Sequence, residues 1–189
     1  MTDVQKLIVS LDYEGLRSLL TQDPALANQG IPFDDNNRSV AHPLHRICDA
    51  VFNKIITDEQ AVGFAKIFLD FGAEINATVT ENQDSPLTAA ASLHAEQVGM
   101  LYVDRGANIH HAGCHGGTAL HWAAWVGRDK LVDKLIRAGG DIHRKCVDFG
   151  NTPLQWARHG FNAAGRENQH NQLQCVRLLI AAGAEEIPV

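Results

Sequence analysis

Two short sequence anchors recur along this chain at one spacing, and a chain that repeats at a fixed interval is confined to folds made by stacking one unit. Four segments open alike: His42-Pro43-Leu44-His45, Ser85-Pro86-Leu87-Thr88, Thr118-Ala119-Leu120-His121 and Thr152-Pro153-Leu154-Gln155. Four others close alike: Phe71-Gly72-Ala73-Glu74-Ile75, Arg105-Gly106-Ala107-Asn108-Ile109, Ala138-Gly139-Gly140-Asp141-Ile142 and Ala182-Gly183-Ala184-Glu185-Glu186. From Pro86 to Ala119 is 33 residues and from Ala119 to Pro153 is 34, while Gly72 to Gly106 is 34 and Gly106 to Gly139 is 33. The two anchors keep the period independently, so they mark the start and end of one repeating element.

The residues between the anchors predict a pair of short helices. Proline suits the first helical turn, where its missing N–H has no intrahelical partner in any case. Small residues follow, such as Ala89-Ala90-Ala91 and Trp122-Ala123-Ala124, and let a neighbouring pair approach closely. The second helix carries an apolar stripe: Val98, Leu101 and Tyr102 in one unit, Leu131, Val132, Leu135 and Ile136 in the next. It stops at glycine, the residue that accepts a left-handed cap without a Cβ penalty. A single pair of this kind cannot bury its own apolar face, and stacking supplies the core.

This arrangement resembles the ankyrin repeat, a turn followed by T-P-L-H-x-A-A, a helix–loop–helix and then G-A-D-x-N. The resemblance covers nearly the whole chain. It implies an all-α solenoid of about five stacked helix-turn-helix units, near residues 1–29, 38–76, 84–110, 116–143 and 150–187, in a single domain spanning 1–189. The first unit is expected to have helices near Val4–Val9 and Tyr13–Leu20 and to exit through Asp23-Pro24-Ala25-Leu26-Ala27-Asn28.

Pro43 to Gly72 is 29 residues and Pro153 to Gly183 is 30, against 20 in the middle units, so units two and five carry insertions at about 50–59 and 161–170. In unit two the added length is expected to extend both helices, with Thr57 and Gln60 forming a capping box at the second. In unit five, Phe161 to His170 is polar and contains glycine, which predicts a loop. The finger from Asn28 to His42 is long as well, and either it or the insertions shape a partner surface or they are tolerated extensions.

The chain is 45% hydrophobic and 20% charged with a net charge of −6, a soluble globular balance. It has no basic cluster, which argues against nucleic acid or an anionic membrane as partner. The start lacks a basic and then apolar leader pattern, and no apolar run approaches the roughly 20 residues that span a bilayer. The four cysteines, Cys48, Cys114, Cys146 and Cys175, are far apart and read as reduced thiols of a cytoplasmic protein. A monomer is expected.

The chemistry-bearing residues give little support to catalysis or a cofactor. The resemblance implies that His45 and His121 hold backbone groups in the turns. His110, His111, Cys114, His115, His143 and Cys146 cluster in sequence at the third and fourth fingers, but zinc needs four converging ligands and their spacing matches no finger pattern. Gly113-Cys114-His115-Gly116-Gly117-Thr118 lacks the Lys-Ser/Thr ending of a phosphate loop. Cys114 beside two histidines lacks a third group to orient it as a nucleophile.

Aligned first helices put Asp49, Ser92, Trp125 and His159 in one register, which in ankyrin proteins tends to face the concave groove. Trp122 and Trp156, three residues earlier, are expected to pack between units. The leading expectation is a non-catalytic module that holds a protein or peptide with some basic surface, with Trp125 as anchor and Asp49, Ser92 and His159 around it. The alternative is a metal- or small-ligand-responsive protein using the fingers at 110–115 and 143–146.

Overall fold

The computed structural model describes residues 1–33, 39–78, 84–163 and 171–185. Ten α-helices lie among these: α1 (Asp3–Val9), α2 (Tyr13–Gln22), α3 (Pro43–Phe52), α4 (Asp58–Asp70), α5 (Pro86–Ser92), α6 (Glu96–Asp104), α7 (Ala119–Val126), α8 (Asp129–Arg137), α9 (Pro153–Ala163) and α10 (Gln172–Ala181). Each odd helix packs on the even one after it. The pairs then stack into two layers, α3, α5, α7 and α9 in one and α2, α4, α6, α8 and α10 in the other. The expected all-α solenoid is the fold observed.

The start signals work as local chemistry predicts. Pro43, Pro86 and Pro153 open α3, α5 and α9. Thr118 and His121 close a reciprocal cap on α7, and Thr57 does the same with Gln60 on α4. At 10 and 13 residues, α3 and α4 exceed the 7 and 9 of α5 and α6, so the unit-two insertion lengthens both helices. The second helices end on left-handed glycines, with Gly106 at φ 84° and Gly139 at φ 91°.

The leucine of the opening anchor is the spine of the core. Leu44, Leu87, Leu120 and Leu154 are all buried. The second helices face them with Phe64, Phe68, Tyr102, Leu131, Leu135 and Leu179. The Tyr102 hydroxyl donates to the Leu44 carbonyl at 2.9 Å, which satisfies a polar group that burial would otherwise strand.

The loops opposite are cross-linked. The long first finger holds the antiparallel strands β1 (Ile31–Pro32) and β2 (Val40–Ala41), with Ile31 opposite Ala41. The Asn76 side chain accepts from the Asn108 amide at 2.7 Å, and Asp84 accepts from the Cys114 amide at 3.2 Å. One expectation needs correcting. Phe161–Ala163 continue α9 rather than opening a loop, because no helix breaker intervenes before Gly165, which with the rest of the insertion lies outside the described residues.

Candidate functional site

The first helices and the fingers of the last two units meet at a cavity of about 300 Å³. Six rings wall it: His115, Trp122, Trp125, Phe149, Trp156 and His159, with Asn151 beside them. These include all three tryptophans of the chain. Helix α7 supplies Trp122 and Trp125, α9 supplies Trp156 and His159, and the fingers supply His115 and Phe149.

The helices can come together because α9 has glycine at the crossing. A Cβ built on Gly160 would stand 2.2 Å from the Trp125 carbonyl oxygen, so only glycine permits this approach. The rings then lock at steep angles. Trp122 and Trp156 sit edge to face at 4.9 Å and 85°, and Trp125 meets Trp156 at 5.7 Å and 70°. His159 lies nearly flat on Trp125, at 5.0 Å and 26°. Trp156 is 4% exposed and acts as the hub, as expected of an inter-unit packing residue.

The polar edges of two indoles turn away from the cavity. Trp156 Nε1 donates to the Cys146 sulfur at 3.3 Å. Trp122 Nε1 is buried without a partner, close to Gly117. What these side chains offer the cavity is therefore chiefly ring surface.

The four register residues have different fates. Trp125 and His159 come together at this cavity, Trp125 half-buried and His159 exposed. Ser92, partly buried on α5, turns its hydroxyl back to the Ala89 carbonyl at 3.2 Å. Asp49 is tied to Arg46 at 2.5 Å and lines a separate groove of about 420 Å³ near the N-terminal end, with Ile8, Val9, Phe33 and Ile55. Neither Asp49 nor Ser92 lines the aromatic cavity.

Phe149 was missed by register because it lies on a finger. Its signal was available as an apolar pair, Val147 and Phe149, on a turn where polar residues are the norm; they are 79% and 59% exposed. The finger is carried into place when the Val147 and Asp148 amides donate to the His115 carbonyl at 3.1 and 3.3 Å.

That docking also corrects one expectation about the finger histidines. His115 does have an orienting group, since Asp148 Oδ2 lies 2.8 Å from its Nδ1. No hydrogen bond joins the Cys114 thiol to that ring, however, so the pair lacks the contact by which a base activates a nucleophile. Cys146 is buried against Trp156 while Cys114 is exposed. Among the described residues, no three His, Cys, Asp or Glu side chains converge where a metal ion could sit.

Two other histidines serve the fold. His121 is fully buried, its Nδ1 accepting from the Thr118 amide at 3.1 Å and its Nε2 facing the Arg144 and Asn151 carbonyls at 3.1 and 3.3 Å. Burial pushes its pKa down to about 4, and His42 is lowered to about 4 by the same cause.

Stacked helix pairs with cross-linked fingers define a helical repeat protein. The motif comparisons agree. Ankyrin repeats (3 copies) are matched at residues 55–146 and a further Ankyrin repeat at 149–187, so the chain belongs to the ankyrin-repeat family. It is 35% identical over 92 residues to the mouse inactive serine/threonine-protein kinase TEX14, covering 49% of this chain and 6% of that protein. It is 28% identical over 142 residues to the ankyrin repeat domain-containing protein SAT10 of Stachybotrys chartarum, covering 75% and 6%. The mouse B-cell lymphoma 3 protein homolog is 34% identical over 92 residues, covering 49% and 20%. The chain thus spans a small part of each of these relatives. Among the described residues no helix is long and apolar enough to cross a membrane.

Proposed function

We propose that residues 1–189 form one continuous ankyrin array that holds a protein or peptide and performs no chemistry of its own. Ankyrin repeats are protein-interaction modules, and this array has a surface suited to that role. The observation that carries the reading is the Trp125–His159 stack at the mouth of a cavity walled by rings. Binding energy concentrates on a few aromatic and arginine anchors near the centre of an interface, and a partly exposed tryptophan beside a preformed cavity is such an anchor. The net charge of −6 favours a partner with basic surface, acting on association rate and selectivity more than on affinity.

The test is comparative capture from the source cell with the wild-type chain and Trp125→Ala, after both are found folded by circular dichroism. The reading expects a protein retained by the wild type and lost from the variant. An identical retained set for the two would remove Trp125 and this cavity from the binding surface.

A further inference from the structure

We propose that the aromatic cavity between the last two units receives a quaternary ammonium group, presented as a trimethylated lysine side chain on the bound peptide. The inference rests on the binding-module reading and adds the chemistry of what that site takes.

The argument begins with what the walls lack. Among the described residues, the lining holds no lysine, arginine, aspartate or glutamate, and Asn151 is the sole amide. A guanidinium brings five N–H donors and a primary ammonium three, all of which need acceptors once water is removed. The acceptors the lining offers, the Asn151 carboxamide and the ring nitrogens of His115 and His159, are all uncharged side-chain types, and Asp148 at its edge already engages His115. A trimethylammonium group has no N–H to satisfy, so it enters such a site without stranding a donor.

The walls also supply what such a cation needs. Aromatic faces are the negative ends of ring quadrupoles, and a cation within about 6 Å of several faces is attracted to each. Trp122 and Trp125 stand at 85° and 70° to Trp156, so the three rings meet at a corner rather than in a parallel stack. Phe149 and His115, tilted 39° at 5.3 Å, add a wall from the finger side. The indole N–H groups of Trp122 and Trp156, which would repel a cation, are directed into the protein.

Access points the same way. The cavity is bounded by first helices and fingers on the face where a peptide would lie, and exposed Val147 and Phe149 flank it. An entering side chain therefore keeps its stem and backbone outside.

All three tryptophans line the cavity, so intrinsic tryptophan fluorescence of the full chain reports on this site alone. The probes are a short alanine–glycine peptide carrying one trimethyl-lysine, the same peptide with unmodified lysine, the same peptide with the neutral carbon isostere in which C replaces N⁺, and choline. The expected result is saturable quenching by the trimethyl-lysine peptide, at least roughly tenfold tighter than by lysine or the neutral isostere. Trp125→Ala is expected to abolish it. Should that variant fail to fold, Phe149→Ala, at an exposed ring, is expected to weaken the charged probe several-fold with an unchanged melting temperature.

Equal binding of the neutral isostere would overturn the proposal and make the cavity a plain apolar anchor pocket, leaving the binding-module reading intact. Choline binding as tightly as the peptide would overturn the peptide assignment in favour of a small ligand. Saturation by none of the probes overturns the proposal outright. The binding-module reading fails separately, through unchanged capture by Trp125→Ala.

Discussion

Mild acid is expected to weaken this array through His121, and the geometry fixes the sign. The Thr118 amide can only donate and the Arg144 and Asn151 carbonyls can only accept, so the ring is held as the neutral tautomer with its proton on Nε2. A second proton would go onto Nδ1, against the Thr118 N–H, in a fully buried site. Burial therefore holds the folded pKa near about 4, below the ordinary 6.5. A histidine with a lowered folded pKa leaves stability whole above about pH 6.5. As pH falls from there towards about 4, the unfolded chain takes up a proton that the folded chain refuses. At about 1.4 kcal/mol per pKa unit, moving from about pH 7 to pH 5 costs about 2 kcal/mol for this residue. The loss levels off below about pH 4. The control is supplied by the last unit, where Gln155 occupies the same position and accepts from the Thr152 amide at 2.8 Å. His121→Gln should keep the cap and lose the titration. Urea unfolding at both pH values, for wild type and variant, isolates the effect, because the opposing contribution of Asp58, whose pKa burial raises, is common to both proteins. Equal pH-dependent losses in the two proteins would refute the argument.

Three further outcomes are expected. Trp125→Ala should cost about 1–2 kcal/mol of stability through its two ring contacts, less than the roughly 2–5 kcal/mol for Leu120→Ala in the core; thermal melting separates them. A loss as large as that of Leu120→Ala would make Trp125 a core residue. Gly106→Val or Gly139→Val should destabilise by about 1–2 kcal/mol, seen as a lower denaturant midpoint. Nothing lies within 4 Å of an added Cβ at either site, so the effect would be backbone strain alone. Of the four thiols, only Cys114 should react promptly with a disulfide reagent in the native protein, because Cys48, Cys146 and Cys175 are buried and burial pushes Cys175 up to about 12. Prompt reaction of a second thiol would contradict the packing around it.

The fold was legible because each unit is specified by its own chain. Proline, cap residues, apolar stripe and terminal glycine all lie within one period, so local chemistry and global stacking agree. The site was legible only as far as helix register reaches. Register aligned Trp125 with His159, and these two residues meet. It aligned Asp49 and Ser92 equally well, yet a register says nothing about competitors. Arg46, three residues before Asp49 on the same helix, captures that carboxylate, and Ser92 returns to its own backbone. Phe149 and His115 reach the cavity through contacts between fingers of successive units, which no periodicity within one unit encodes.

One set of bonds between units runs in a single direction along the row. Asp58 accepts from the Gln97 and Val98 amides at the start of α6, and Glu96 accepts from the Lys130 and Leu131 amides at the start of α8. Asp104 receives Lys134, and Asp70 receives Arg105. In each case the acceptor belongs to the earlier unit and the donor to the later. A cut that removes leading units therefore leaves the next second helix with bare N–H groups at the end of its dipole. A cut that removes trailing units returns those carboxylates to water, but it also takes away the Arg144 and Asn151 carbonyls that face His121 and the Trp156 ring that packs on Trp122 and Trp125. Like overlapping roof tiles, each of these second helices rests its first turn on an acidic side chain of the unit before it.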